Sequence, residues 1–462
     1  MQRLIFIIVF ISFISHAIAQ KSTQQPAALL QFLSDPQLKA ASVGLKIVQS
    51  STGKVMVDYQ ADIGLAPAST LKVLTSITAL DVLGSKFTYT TNLGWKGELK
   101  NGILHGNIVI QGSGDPSLGS WRFPNQSDTV VIKNWVQEIL KSGIREVKGS
   151  IEVNTAGWNS HAVPGGWIWD DIGNYYGAGA WGLNWRENQY DVHLLSGNEI
   201  GSDVEIIKIQ PVLYGVTWKS ELKAAAKGTG DNAYIYLPPF ATVGIIRGTI
   251  PVGENKFVIA GSMPDPSFQL VTILKQELQK KGIIVGSASI TTNTQTKIIS
   301  QSVSPPLDSL ISPFMQKSIN LYGEAFLKTI SLQKSGKSAS QDAVQWVRNY
   351  WKEQIQLDPA YLRIIDGSGL SPQNRVTAGA LTDLLEYARR RDWFQSFEKS
   401  FSVQSGMKLK SGTIGGVKAY AGYYEHPLWG DVSVAFIVNN YQGSASALVQ
   451  KMFSLLQQIK QP

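Results

Sequence analysis

The 462-residue chain contains no cysteine. That removes thiol nucleophiles, cysteine-ligated metals and a disulfide scaffold from consideration. Histidine is nearly as scarce. His16, His105, His161, His193 and His426 are scattered and no His-Glu-x-x-His occurs, so metal hydrolysis has no cluster to build on. The Gly-x-Ser-x-Gly elbow is missing too, which leaves a Ser-His-Asp hydrolase without support. A Gly-x-Gly-x-x-Gly does occur at 177–182, but it follows Asp170, Asp171 and Asn174 instead of an apolar strand and reads as a loop. Charged residues make up only 16%, and the basic ones behind the net charge of +8 are dispersed, so nucleic-acid binding is not indicated.

Long apolar runs are equally rare. Residues 1–19, MQRLIFIIVFISFISHAIA, have a charged start at Arg3, an apolar stretch from Leu4 to Ile14 and the small-residue site Ala17-Ile18-Ala19. That is the pattern of a secretory signal peptide, too short in its apolar part to span a bilayer. No later segment is apolar enough to act as a transmembrane anchor, and export is therefore expected. With 43% hydrophobic residues the remainder can bury a large core, divided among two or three domains.

The spacing of apolar and turn residues predicts a helix near Pro26 to Leu33 and a hairpin over 42–49 and 54–59. A buried helix should run from Ser69 to Gly84, because Leu71, Leu74, Ile77 and Leu80 recur every third position. Short strand-like pieces separated by Gly, Pro and Asn turns then fill the middle of the chain. Helical patterns return over 318–332, 340–353 and 377–389, followed by strands over 407–413, 417–424 and 432–439 and a helix over 445–459. The predicted fold class is α+β: an antiparallel sheet flanked by helices, assembled from both ends of the chain, with a large β-rich insert of two subdomains. The expected division is 1–19 as signal peptide, 20–90 with 295–462 as one discontinuous domain, and 91–294 as the insert.

Ser-x-x-Lys begins at Ser51, Ser69, Ser220, Ser331, Ser396 and Ser405. Only Ser69 opens a long apolar helix. There a spacing of three puts Lys72 on the same face, a helix-start N–H can stabilise an oxyanion, and a buried amine can lose its proton near neutral pH. An N-cap serine beside a surface lysine is the plainer alternative. Ser318-Ile319-Asn320 opens a later helix and could line the same cleft. Lys410-Ser411-Gly412-Thr413 is the one Lys-Ser-Gly copy in a strand pattern, where lysine and hydroxyl can meet a carboxylate and glycine admits a substrate backbone. The Thr413 N–H could complete an oxyanion hole with that of Ser69.

Taken in order, Ser69-x-x-Lys72, Ser318-x-Asn320 and Lys410-Ser411-Gly412 resemble the motif set of the class C low-molecular-mass penicillin-binding proteins, the D-alanyl-D-alanine carboxypeptidase/endopeptidase family. GSGDPSLG at 112–119, PGGWIWDDIGNYYGA at 164–178 and DGSGLSPQNRVTA at 366–378 are family-like as well. So is the interval of roughly 250 residues between Ser69 and Ser318, well beyond the ~100–150 of a common domain. Lys-Ser-Gly departs from the family's usual Lys-Thr-Gly but keeps the hydroxyl.

The resemblance implies a serine transpeptidase/β-lactamase-like catalytic domain and acyl transfer without a cofactor or metal. Ser69 would attack peptidoglycan stem peptides or crosslinks, with Lys72 as base and Ser318 and Asn320 assisting. Lys410 and Ser411 would bind the terminal carboxylate, and Asp171, or less readily Asp170, would recognise a diaminopimelate side chain. It also implies inhibition by β-lactam antibiotics and residence in the periplasm, soluble or at the envelope surface. Two other readings stand beside it: a catalytically silent peptidoglycan-binding scaffold and a serine β-lactamase. The oligomeric state is left open.

Overall fold

A computed structural model describes residues 25–460 other than 293; the expected signal peptide lies outside the described residues. The hairpin Ser42–Gln49/Lys54–Tyr59 joins the C-terminal meander in one six-stranded antiparallel sheet. Its order is Ser402–Gln404, Met407–Ile414, Val417–His426, Gly430–Asn439, Ser42–Gln49, Lys54–Tyr59. The seam between the two chain ends runs from Ser42 opposite Asn439 to Gln49 opposite Val432. Alternation then decides what each face meets. Val434, Phe436 and Val438 pack with Leu45 and Ile47 under helices Ala27–Leu33 and Ala445–Gln458. Ala435 and Ile437, with Ala419 and Ala421, face the helical core that includes Leu71–Leu83, Asn320–Ser335 and Ala378–Ala388.

Helix Leu71–Leu83 is buried on all sides from Leu71 to Leu80, as a helix threaded between a sheet and other helices must be. It stops where expected, at Gly84, whose φ of 85° suits glycine alone.

The insert has two layers of its own. Strands Thr90–Lys100, Ile103–Gln111, Glu146–Val147, Ile151–Asn154, Ile284–Val285 and Lys297–Val303 form one sheet, covered by helices Asp128–Lys141 and Pro266–Lys280. Two three-stranded sheets between residues 189 and 262 share a separate core around Val192, Leu222 and Ile246. Lys297–Val303 pairs antiparallel with Thr90–Lys100, so the sheet carries the insert on to Val303, past the expected return at 295. That edge strand is half-exposed and lacks a clean alternation, which is why its spacing is silent. The insert's two long helices were not expected. In the first, Val131, Ile132, Trp135, Val136 and Ile139 follow helical spacing while their β-branched members favour strands.

Candidate active site

Ser69 sits in the 3₁₀ turn Ala68–Thr70 that leads into helix Leu71–Leu83. The turn is fastened at several points. Pro67 accepts both the N–H and the hydroxyl of Thr70, at 3.2 and 2.6 Å. Asn439 on the sheet donates to the Ala66 carbonyl and accepts its N–H, at 3.0 and 2.8 Å. Ala68, immediately before the serine, is held at φ 46°, a left-handed conformation that a non-glycine residue adopts only under constraint.

Two glycines press on this turn. A Cβ on Gly369 would lie 1.9 Å from the Ala68 carbonyl oxygen, and one on Gly412 would lie 2.6 Å from that of Pro67. At Gly412 the missing side chain also lets its strand pack directly against the serine turn. Gly369→Ala is expected to destabilise the fold by about 1–3 kcal/mol through the clash and its φ of 84°, and to slow acylation of Ser69. Thermal denaturation and β-lactam acylation of the variant measure both effects.

Lys72 is fully buried one turn on from the serine. Its Nζ lies 3.0 Å from Ser69 Oγ, 2.6 Å from Asn320 Oδ1 and 2.7 Å from the Ser368 carbonyl oxygen. Burial first, and the nearby Lys410 ammonium second, push this amine well below the usual lysine range, against the opposing pull of Asp366 and Glu324.

Asn320 is the first residue of helix Asn320–Ser335, and its Nδ2 donates to the Tyr176 carbonyl at 2.7 Å, so the insert sets the orientation of the amide. Ser318 stands two residues before the helix at φ 58°. Ile319, not Ser318, is the N-cap, which removes the plainest structural role for that hydroxyl.

The Ser368 carbonyl is held by a loop with its own scaffold. Asp366 accepts from Gly369 N–H, Ser371 N–H, Trp167 Nε1 and Asn374 Nδ2. Glu324 accepts the Gly367 N–H at 3.1 Å, and Thr75 donates to the Gly367 carbonyl at 2.6 Å. Burial, and then the neighbouring Asp366, push the Glu324 carboxyl up to about 8. Lys328 is also buried, held down to about 8, and donates to the carbonyls of His161 and Ala180.

A cleft of about 490 Å³ is lined by Ser69, Ser318, Asn320, Thr413 and Asp171, together with Lys317, Tyr175, Tyr176 and Leu370. The three motifs and the insert's acidic residue thus converge, although they are far apart in the chain. Asp171 is half-buried in this wall and pushed up to about 6, by burial first and by Asp170 second. Asp170 turns away and accepts the Tyr236 hydroxyl at 2.9 Å. Lys410 stands behind the wall, only 4% exposed, donating to the Ser411 carbonyl at 2.7 Å, and burial lowers it to about 8. Ser411 shares its strand and is half-buried, and the Thr413 hydroxyl accepts from Lys418 at 2.9 Å. A larger cavity of about 660 Å³ between the insert's two long helices contains none of these groups.

Sequence reasoning missed the Ser368 carbonyl, Glu324 and the Tyr176 carbonyl. Backbone acceptors carry no residue-type signature. Glu324 did carry one, since Asn320, Glu324 and Lys328 recur every fourth position on one face of a largely apolar helix.

An antiparallel sheet closed by both chain ends, a buried helix that starts at a serine, and a buried lysine touching that serine define a serine acyl-transfer enzyme on the penicillin-binding, β-lactamase-like fold. The comparisons place it more closely. The pattern of the D-Ala-D-Ala carboxypeptidase 3 (S13) family matches residues 25–458, and the chain belongs to that family. It is 24% identical over 463 residues to the D-alanyl-D-alanine carboxypeptidase of Actinomadura, covering 90% of this chain and 81% of that one. Against D-alanyl-D-alanine carboxypeptidase DacB of Haemophilus influenzae it is 22% identical over 431 residues, covering 89% and 85%. The crystal structure of penicillin-binding protein 4 from Haemophilus influenzae shares the fold, with a TM-score of 0.76 at 20% identity over 91% of this chain and 97% of that one. The protein is a serine D-Ala-D-Ala carboxypeptidase. No helix among the described residues is long and apolar enough to cross a membrane.

Proposed function

We propose that Ser69 is the nucleophile and Lys72 the base of this carboxypeptidase, and the hydrogen bonding of Lys72 Nζ carries the reading. An unprotonated amine has two N–H groups and one lone pair. Asn320 Oδ1 and the Ser368 carbonyl can only accept, so they take the two N–H groups and leave the lone pair for the Ser69 hydroxyl. Burial and Lys410 favour that neutral form.

Ser69 Oγ attacks the carbonyl carbon of the penultimate D-Ala as its proton passes to Lys72. The N–H groups of Ser69 and Thr413 hold the oxyanion. The proton then returns through the Ser318 hydroxyl to the leaving D-Ala nitrogen, the C–N bond breaks, and an acyl-enzyme remains for water to hydrolyse. Lys410, with Ser411, supplies positive potential for the terminal carboxylate.

This assignment predicts a bell-shaped kcat/KM profile on a D-Ala-D-Ala peptide. Activity rises with pH as Lys72 loses its proton, and falls above about 8 as Lys410 loses its charge. In Lys410→Arg the guanidinium stays charged, so the alkaline limb should move out of range while the acid limb persists. An unchanged alkaline limb would detach Lys410 from the reaction.

A scissile bond in a diaminopimelate crosslink also has a carboxylate beside it, so the same cleft suits D,D-endopeptidase hydrolysis. Asp171, in the wall of that cleft, would pair with the ammonium of the diaminopimelate side chain. Being held at about 6, it is charged above that pH and neutral below it, and its selectivity should fade as pH drops through 6. Asp171→Asn is expected to raise KM about tenfold for peptides with a free side-chain amine, a loss of ~1.4 kcal/mol, and to leave blocked peptides unaffected. Equal effects on both would remove this role.

A β-lactam carries a carboxylate and a reactive amide like the substrate's, and would acylate Ser69. The relative from Haemophilus influenzae has been crystallised with such a compound. Export through residues 1–19 to the periplasm completes the proposal.

A further inference from the structure

The cleft wall continues outward into an aromatic surface that the reaction itself does not use. Ile168 and Tyr175, which line the cleft, are 47% and 50% exposed, and Trp169 beside them is 55% exposed. The Trp169 indole packs on Tyr236, with centroids 5.9 Å apart and planes at 32°. Tyr234 lies two residues before Tyr236 on the strand Asn232–Tyr236 and so shares its face. It is close enough to the Tyr176 phenol to raise that group's pKa.

Polar groups stand at the ring edges. Asp170 Oδ1 accepts the Tyr236 hydroxyl, and the Arg247 guanidinium lies 5.3 Å over the Tyr236 ring while bonded to Glu221.

The surface is built, not loosely draped. Trp167 is tied by its indole N–H to Asp366 at 2.8 Å, which fixes one end to the catalytic domain. Asn174 accepts the Ile235 N–H at 3.2 Å and donates to the Asp170 carbonyl at 2.6 Å, which fixes the other end to the outer subdomain. A Cβ on Gly173 would lie 1.9 Å from the Ile235 carbonyl oxygen, so the two segments touch backbone to backbone. Trp169 and Tyr234 are 55% and 41% exposed while Tyr236 is half-buried against Trp169 and Arg247, so the open aromatic area of the surface is mainly that of Trp169 and Tyr234.

We propose that Trp169, Tyr236 and Tyr234, edged by Asp170 and Arg247, form a subsite for the glycan strand of the substrate. The apolar C–H faces of pyranose rings pack on aromatic rings, while sugar hydroxyl and acetamido N–H groups donate to a carboxylate and their oxygens accept from a guanidinium at the rim. The choice of occupant follows from continuity. The short helix Trp169–Ile172 carries Asp171 into the peptide cleft and Trp169 onto the platform, so a polymer whose peptide lies at Ser69 passes its sugars over these rings. This inference rests on the peptidoglycan reading of the cleft.

The first test compares a D-Ala-D-Ala pentapeptide free of sugar with the same peptide on glycan strands, using the full chain, Trp169→Ala and Trp169→Phe. Trp169→Ala is expected to raise KM for the glycan-linked substrate about tenfold, with kcat and the sugar-free reaction within about twofold of wild type. Trp169→Phe should recover most of the loss. Equal losses on both substrates, or none on either, would overturn the subsite.

A second test is independent of catalysis: co-sedimentation with peptide-free glycan strands. Wild type should bind them and Trp169→Ala should not. A wild-type protein that hydrolyses peptides yet ignores these strands would sink the subsite alone, whereas one that binds strands but hydrolyses nothing would sink the catalytic reading alone. Trp169-dependent binding to anionic lipid vesicles without glycan binding would reassign the surface to the membrane.

Discussion

Ser69→Ala is expected to lower kcat on a D-Ala-D-Ala peptide by about a millionfold, the size of loss that follows removal of a serine nucleophile from an otherwise intact hydrolase site. The effect should be this large because no neighbouring hydroxyl can replace it. Thr70 is committed to the Pro67 carbonyl, and Ser318 lines the cleft from a different segment, without the hydrogen bond to Lys72 Nζ that Ser69 makes. The fold should be nearly untouched, since alanine is at home in a 3₁₀ turn and Lys72 keeps two of its three partners. Residual turnover and melting temperature, measured together, check the prediction. A variant retaining even about a hundredth of its activity would leave too little of the expected loss to Ser69 and move the chemistry to another nucleophile.

Lys72→Ala should slow acylation by about 10²–10⁴-fold, the range that a positioned general base supplies. Here a second consequence must be separated from the first. The substitution leaves Asn320 Oδ1 and the Ser368 carbonyl without their buried donor, at a cost of about 1–3 kcal/mol each. Some loss of melting temperature is therefore expected alongside the kinetic loss. The pH profile distinguishes the two. A base that has been removed takes the acid limb of kcat/KM with it, whereas a merely loosened site keeps that limb and loses rate uniformly. Rapid-mixing acylation by a chromogenic β-lactam across the acid range reads this directly, and a surviving acid limb would show that Lys72 is not the base.

How much of this was legible depended on whether the information lay in side-chain type or in backbone shape. Helix Leu71–Leu83 and the strands of the meander were readable because period and turn residues agree at every step, down to the stop at Gly84. The meeting of Ser69, Lys72, Ser318 and Asn320 was readable only as an ordered set of motifs, since spacing cannot place segments so distant in the chain side by side. Helices Asp128–Lys141 and Pro266–Lys280 were hidden within a middle region whose short strands and frequent turns dominate its texture. The strain at Ala68 and Ser318 was invisible because neither residue is a usual occupant of left-handed backbone. At Gly412 spacing suggested room for a substrate backbone, but the contact with Pro67 that also helps to hold the Ser69 turn in place was not legible. The Ser368 carbonyl, which completes the lysine's coordination, sits in a stretch already marked as family-like, but nothing in its residue types announces a backbone acceptor.

The proposed reaction turns on one bond, that between Ser69 Oγ and an acyl group. The most direct measurement treats the protein with penicillin, records the intact mass and maps the modified peptide. The expected result is a single adduct of one penicillin on the peptide bearing Ser69, formed faster as pH rises through the acid limb and absent from Ser69→Ala. An adduct on Ser318 or elsewhere, or no adduct on the native chain, would contradict it.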